Sequence, residues 1–313
     1  MTNGKTVKKI SGAFSGEGMS ILLLGCAVIF ALVLSGECAE YVIDGMKLAV
    51  LRVIPSSFPF MIISDFYAVY GKPENIRLLG NAFSRLLGIS KNGLGAFVAG
   101  NVGGFPIGAK MCADAYSCKA ISKEDAERLM PLCNNPSLAF TVGGVGIGMW
   151  GDIRIGLILF SSVLSATVIC GLLTRCNTAK NVIFNENNKQ NYNFVNSVKA
   201  AGFNSLSIIS FVCLFSVVSG IIKKRIKNAL VLYPIFSVLE VTNAVSMMAA
   251  STDFPPIFLI ALTSFALGFG GVSVGMQSAV FALSSGLKMR KYYLIKLLEG
   301  ILSASISSLL LII

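Results

Sequence analysis

The residues best placed to do chemistry lie in Ala99-Gly-Asn-Val-Gly-Gly-Phe-Pro-Ile-Gly-Ala-Lys110. Residues 92–109 carry no charge, yet they hold six glycines together with Asn101 and Pro106. Glycine works against a continuous helix by its entropy, and proline by removing a backbone donor. Broken backbone at membrane depth persists only where protein buries it or where it lines a cavity. The stretch therefore predicts a helical hairpin with a polar tip. Gly103, Gly104, Pro106 and Gly108 would let the backbone approach a ligand, and Lys110 would supply a cation at the exit. A second stretch, Gly270-Gly-Val-Ser-Val-Gly-Met-Gln277, repeats the pattern Gly-Gly-apolar-small-apolar-Gly-x-polar at an offset of 167 (277 − 110). Arg128-Leu-Met130 then meets Lys296-Leu-Leu298 at an offset of 168 (296 − 128). Glycine- and proline-interrupted segments at matching places in two halves point to the binding site of a secondary transporter. On that reading Gly270, Gly271, Ser273 and Gln277 face the first hairpin across the site.

Two more polar clusters interrupt apolar sequence. Cys133-Asn-Asn-Pro-Ser137 breaks a helix beside an apolar run, so Asn134, Asn135 and Ser137 offer amides and a hydroxyl to a ligand. The plainer alternative is an Asn-Pro turn in water. Leu239-Glu-Val-Thr-Asn243 sets a carboxylate, a hydroxyl and an amide (Glu240, Thr242, Asn243) inside apolar sequence, where they are costly to bury without partners. Asp65 is either an intramembrane carboxylate or an aspartate at a water-exposed end. Glu240 or Asp65 is the expected handle for a coupling proton or sodium ion, and no other cofactor is expected. The chain has no histidine, which removes imidazole metal sites, histidine triads and histidine proton relays. None of its eight cysteines forms Cys-x-x-Cys, and most lie in or beside apolar runs as small hydrophobes. No metal ligands and no catalytic residues are assigned, and an enzyme is the least expected reading.

The elements that must position these groups are helical and apolar. The chain of 313 residues is 54% hydrophobic and 13% charged, with mean hydropathy +0.75. Soluble domains carry about 25% charged residues. The expected fold class is an all-α polytopic membrane protein of two inverted repeats, each with a re-entrant or broken-helix hairpin. The net charge of +11 is spread in short basic clusters between apolar runs. That distribution points to cytoplasmic anchoring against anionic lipid rather than to nucleic acid; a cationic path for an anionic substrate is the sharper alternative.

In chain order, residues 1–18 read as a cytoplasmic tail with Lys5, Lys8 and Lys9, and residues 19–36 as a first transmembrane helix that is retained rather than cleaved. Glu37, Glu40 and Asp44 follow it, so the N-terminus is expected inside. Residues 40–175 form the first repeat. Within it Pro55 and Pro59 punctuate an apolar segment. Ser122-Lys-Glu-Asp125 is a variant capping box opening a helix whose apolar face is Ala126, Leu129, Met130 and Cys133. Residues 176–199 read as a polar linker and residues 200–313 as the second repeat. Residues 254–287 are free of charge and too long for one helix across a hydrocarbon core of about 30 Å. They are expected to turn back between residues 268 and 275. Lys296 and Glu299, three apart in the last apolar segment, can pair on one helix face.

Together, Phe58-Pro-Phe60, Gly103-Gly-Phe-Pro-Ile-Gly-Ala-Lys110, Glu124-Asp-Ala-Glu-Arg-Leu129, Cys133-Asn-Asn-Pro-Ser137, Leu239-Glu-Val-Thr-Asn243 and Phe269-Gly-Gly-Val-Ser-Val274 resemble the YlbJ-type sporulation integral membrane proteins. These belong to the nucleoside-recognition or gate domain group, similar to concentrative nucleoside transporters. The resemblance covers most of residues 40–313. It implies inverted repeats with re-entrant hairpins and transport of a small polar solute. The first expectation is dipicolinate, a planar dianion, moved across the outer forespore membrane. The alternatives are nucleoside transport on the same fold, or a non-transporting scaffold of a sporulation complex. The expected partners are a small-molecule substrate, the lipid bilayer and a second copy of the chain, with no nucleic acid. The expected location is the bacterial cytoplasmic membrane or the forespore membrane.

Overall fold

A computed structural model describes residues 35–55, 58–59, 61–63, 77–175 and 193–312. The expected tail, most of the expected first helix and Asp65 lie outside these residues. Among the described residues the structure is all helix and turn, with no strand. Four helical segments among the described residues are long and apolar enough to cross a membrane: Ile153–Leu173, Phe194–Arg225, Pro256–Ser284 and Arg290–Ile312. Large apolar side chains stand on their outer faces, Phe203 at 73% exposure among them. A bundle that exposes such residues is built for lipid. The chain is an all-α polytopic membrane protein, as its composition predicts.

Helix α1 is Ser35–Leu48, continued by a π-type segment Ala49–Val53. Helix α2 is Arg77–Leu87, α3 is Leu94–Gly103, α4 is Ile107–Ser117 and α5 is Lys123–Cys133. A second π-type segment, Ala139–Ile147, leads into α6, Ile153–Leu173. Helix α7 is Phe194–Arg225, α8 is Ala229–Leu239, α9 is Val241–Ala249, α10 is Pro256–Phe269, α11 is Gly271–Ser284 and α12 is Arg290–Ile312.

Local chemistry sets several of these boundaries. The Ser122 hydroxyl accepts from Asp125 N at 3.1 Å and starts α5. Only this half of the expected capping box forms. The Asp125 carboxylate reaches away, to Ser90 N at 3.2 Å, and ties α5 to the chain entering α3. The polar stretch expected as linker up to residue 199 ends earlier. Asn193 accepts from Val195 N and Asn196 N, so α7 begins at Phe194. An asparagine side chain satisfies the first free N–H groups of a helix, and that favours starting there.

The first glycine stretch folds back on itself as expected. Asn92 Nδ2 donates to Ala120 O at 2.9 Å at the open end, while residues 104–106 form the tip. α3 and α4 lie against each other, with α5 beside both. A Cβ on Gly100 would come within 2.7 Å of Gly108 Cα, so glycine permits this approach. The second stretch behaves differently, and the expected turn back between residues 268 and 275 is not what forms. α10 and α11 meet at Gly270 and Gly271, with φ of +79° and +75°, but do not pack side by side. Instead α10 runs antiparallel along α12, through Ser264 against Ser303 at 2.7 Å and Gly268 against Gly300. α11 leaves towards α4, α7 and α8. The chain reverses only after Ser284, where Gly286 has φ +73°. The reason is packing: α10 gains a long seam of small residues against α12, and a hairpin would forgo it.

Candidate functional site

The site is built where helices break. The tip of the α3–α4 hairpin is Gly104, Phe105 and Pro106, and Gly104 has φ +84°. The break after α5 lies directly against it, because a Cβ on Gly104 would fall 2.8 Å from Ser137 N. α8 ends and α9 begins at Glu240, whose backbone is extended. The α10–α11 break touches that one: a Cβ on Gly271 would lie 3.1 Å from Leu239 O. It also touches the hairpin tip, since a Cβ on Gly270 would lie 3.3 Å from the Phe105 ring. Four backbone interruptions from distant parts of the sequence thus meet in one place. The N-termini of broken helices carry free N–H groups and partial positive charge, which makes such a meeting point a place for polar ligands.

A cavity of about 40 Å³ lies between them. Gly103, Gly104 and Phe105 line it from the hairpin, Ser137 from the α5 break, Glu240 and Thr242 from the α8–α9 break, and Val274 and Gln277 from α11. The volume suits roughly one to three waters, so a ring-sized solute needs the walls to part. Glu240 is 2% exposed, and its carboxylate caps α9, accepting from Thr242 N at 3.0 Å and Asn243 N at 2.6 Å. Gln277 is held by Ser273 Oγ at 3.3 Å. Ser137 Oγ accepts from Phe140 N at 3.1 Å and starts the following π-type segment. Glu240 is the one charged side chain among the residues lining this cavity.

Of the residues singled out from sequence, Gly103, Gly104, Ser137, Glu240, Thr242 and Gln277 line the cavity. The others stand around it. Gly108 packs against Cys133, where a Cβ would fall 2.1 Å from the carbonyl oxygen. Pro106 precedes α4, and Gly270 and Gly271 shape the break. Ser273 positions Gln277. Asn243 Nδ2 donates to Ser216 Oγ at 3.2 Å and faces a separate cavity of about 690 Å³ beside α7. Lys110 is not among the residues lining the cavity. It lies one turn into α4, with an ion pair to Asp114 at 2.9 Å, because a partner four residues on is within reach on the same helix face.

Asn134 and Asn135 lead to groups that the sequence reading left outside the site. Asn134 Nδ2 donates to Ser278 Oγ at 2.7 Å and Tyr292 OH at 2.6 Å, and its Oδ1 has no partner among the described residues. Asn135 Oδ1 accepts from Lys296 Nζ at 2.7 Å, and its Nδ2 donates to Asn101 Oδ1 and Thr167 Oγ1, both at 2.9 Å. Lys296 and Glu299 pair at 3.1 Å with both side chains fully buried. Glu299 also takes a hydrogen bond from Thr167. Their pairing was legible at a spacing of three, but their burial was not. A signal existed: Lys296, Glu299, Ser303 and Ser307 follow helical spacing on an apolar segment, and all four are 0% exposed. A polar stripe on a membrane helix marks the face turned from lipid. No group of three or more histidine, cysteine or acidic residues that could hold a metal occurs among the described residues.

No family model matches the chain, and no solved structure matches it. Among curated proteins it is similar to the sporulation integral membrane protein YlbJ of Bacillus subtilis (strain 168), with 25% identity over 295 residues that span 80% of this chain and 72% of that protein. The resemblance to YlbJ-type proteins read from the motifs is therefore found along most of the chain.

Proposed function

We propose that this chain is a secondary transporter of a small organic anion, acting during sporulation, with dipicolinate moved across the forespore membrane as the first substrate to test. The observation that carries the proposal is the meeting of four backbone breaks around a polar cavity inside an apolar bundle. Unwound backbone survives in a membrane protein where it serves a solute or ion path. The name of the similar protein supports the sporulation setting. Glu240 is the candidate for a coupling proton or sodium ion, since it is buried and lines the cavity. The small cavity fits an occluded state between two access states. A second reading, nucleoside transport, is favoured by one observation: the lining offers a carboxylate, an amide and hydroxyls but no cation, which suits sugar hydroxyls and base edges.

The test is thermal unfolding of the purified protein in detergent against dipicolinate, other small dicarboxylates and nucleosides, with and without sodium. A ligand at a hundred times its Kd stabilises the folded state by about 2.7 kcal/mol. The expected result is a rise in Tm with dipicolinate, followed by its uptake into liposomes. A rise with nucleosides alone moves the assignment to the second reading. No rise with any solute, and no uptake, overturns transport and leaves a membrane scaffold.

A further inference from the structure

The Lys296–Glu299 pair sits directly behind the cavity wall. Lys296 Nζ lies over the Phe105 ring, 6.0 Å from its centroid, and Phe105 itself lines the cavity. One aromatic side chain, on the tip of the hairpin and next to Gly104, thus stands between the cavity and a fully buried ammonium. The ammonium is shared between two acceptors, Asn135 Oδ1 at 2.7 Å and Glu299 Oε2 at 3.1 Å. Asn135 is in turn tied to Asn101 on the hairpin. Breaking a buried ion pair leaves an uncompensated charge, which is costly unless that charge is neutralised or finds a new partner.

We propose that Lys296 is the cation that receives a carboxylate of the substrate, and that Glu299 is the proton acceptor that couples this binding to proton uptake. The proposal rests on the anion reading of the cavity. When Phe105 swings aside, the substrate carboxylate takes the Nζ–H bond that Glu299 Oε2 now accepts. The Nζ–H···Oε2 bond breaks, a Nζ–H···carboxylate bond forms, and one proton from solvent binds the Glu299 carboxylate, which becomes neutral and remains buried. The ammonium keeps its own protons throughout. Asn135 holds Lys296 in place during the exchange, and Thr167 continues to hydrogen-bond Glu299. The other titratable groups facing the pair are Cys133 from α5, Cys170 from α6, and Tyr292 on α12 itself. α10, which packs along α12, contributes none. Among the described residues, the pair sets an ammonium and a carboxylate together behind the cavity wall, where an anion and a proton can be exchanged together.

The experiment measures dipicolinate binding to the purified full chain in weakly buffered detergent, with a pH dye reading protons taken up. Wild type is expected to take up about one proton per dipicolinate bound, because the folded state gains a protonation site on binding. E299Q is expected to bind dipicolinate without proton uptake. K296M is expected to weaken binding roughly ten- to hundred-fold, the loss of a charge-assisted hydrogen bond. The double variant K296M/E299Q removes both charges, keeps the volume and controls for folding. Binding without proton uptake in wild type overturns the proposal, as does unchanged affinity in K296M. Proton uptake that persists in E299Q and disappears in E240Q overturns it in favour of the cavity carboxylate. If wild type binds nucleosides and no dicarboxylate, the anion reading fails, and this inference with it.

Discussion

The two glycine stretches share a pattern and differ in outcome. Gly103 to Lys110 closes a hairpin whose arms touch, with Gly100 and Gly108 set against Cys133 backbone. Gly270 to Gln277 breaks a helix whose two parts go to different neighbours. The matched glycines show why. Gly108 is pressed on the Cys133 carbonyl, whereas its counterpart Gly275 faces the ring of Tyr293. The first glycine admits backbone to backbone, the second a side chain to backbone. The matched cations differ in the same way. Arg128 donates to Leu87 O, Gly88 O and Thr174 O, carbonyls at the ends of α2 and α6. Lys296, matched to it in sequence, holds a carboxylate and an amide behind the cavity. One buried cation caps helices, the other stands beside the site. A repeated sequence pattern fixes where the backbone breaks, and the neighbours decide what each break is for.

That comparison can be broken first at the matched glycines. Gly108→Ala sets a Cβ 2.1 Å from a carbonyl oxygen, and is expected to cost more than about 3 kcal/mol, since overpacking against rigid backbone has no cheap relief. Thermal unfolding in detergent should show the loss, or the yield of monodisperse protein should collapse. Gly275→Ala meets first the ring and hydroxyl of the Tyr293 side chain, which can shift where backbone cannot, and should cost clearly less in the same assay; equal losses would mean that the two arms are packed alike. Next comes Arg128→Met. It strips a cation from two helix C-termini and leaves buried carbonyls unpaired, at about 3 kcal/mol. Dipicolinate affinity, measured below the lowered Tm, should stay at the wild-type value, in contrast to K296M.

The two glycine stretches are expected to agree at the positive-φ positions. Gly104→Ala and Gly271→Ala each force a side chain onto positive-φ backbone, about 1–3 kcal/mol, and each also crowds a neighbouring break. Near-equal losses of Tm would sharpen the comparison to the arms alone. The smallest effect concerns Asp152, which caps α6 and pairs with Arg154 at 3.0 Å on the exposed surface. The hydrogen bonds and charge of Arg154 hold its carboxyl below the ordinary value. Its contribution is therefore present above the ordinary carboxylate range and lost as pH falls through the lowered value. Asp152→Asn keeps a capping oxygen, so Tm near pH 7 should barely move, and the acid-side fall in Tm should flatten slightly.

Much of this architecture was legible in the sequence because it rests on local chemistry. The apolar runs and scarce charge fixed a helical membrane protein. Ser122 fixed the start of α5, and Cys133-Asn-Asn-Pro its end, since a capping oxygen and a proline act within a few residues. The glycine clusters marked both of their breaks, whereas Glu240 was legible as a costly polar group in apolar sequence and its helix break was not. The tertiary structure decided the rest. It sent one glycine break into a hairpin and the other into a continuing path, because the small residues of α12 offered α10 a seam. It left Lys110 with Asp114 and buried Lys296 behind Phe105. Both lysines lie in apolar sequence with an acidic residue one turn away. Which of them stands at the cavity depends on helices more than a hundred residues distant, and only their packing decides it.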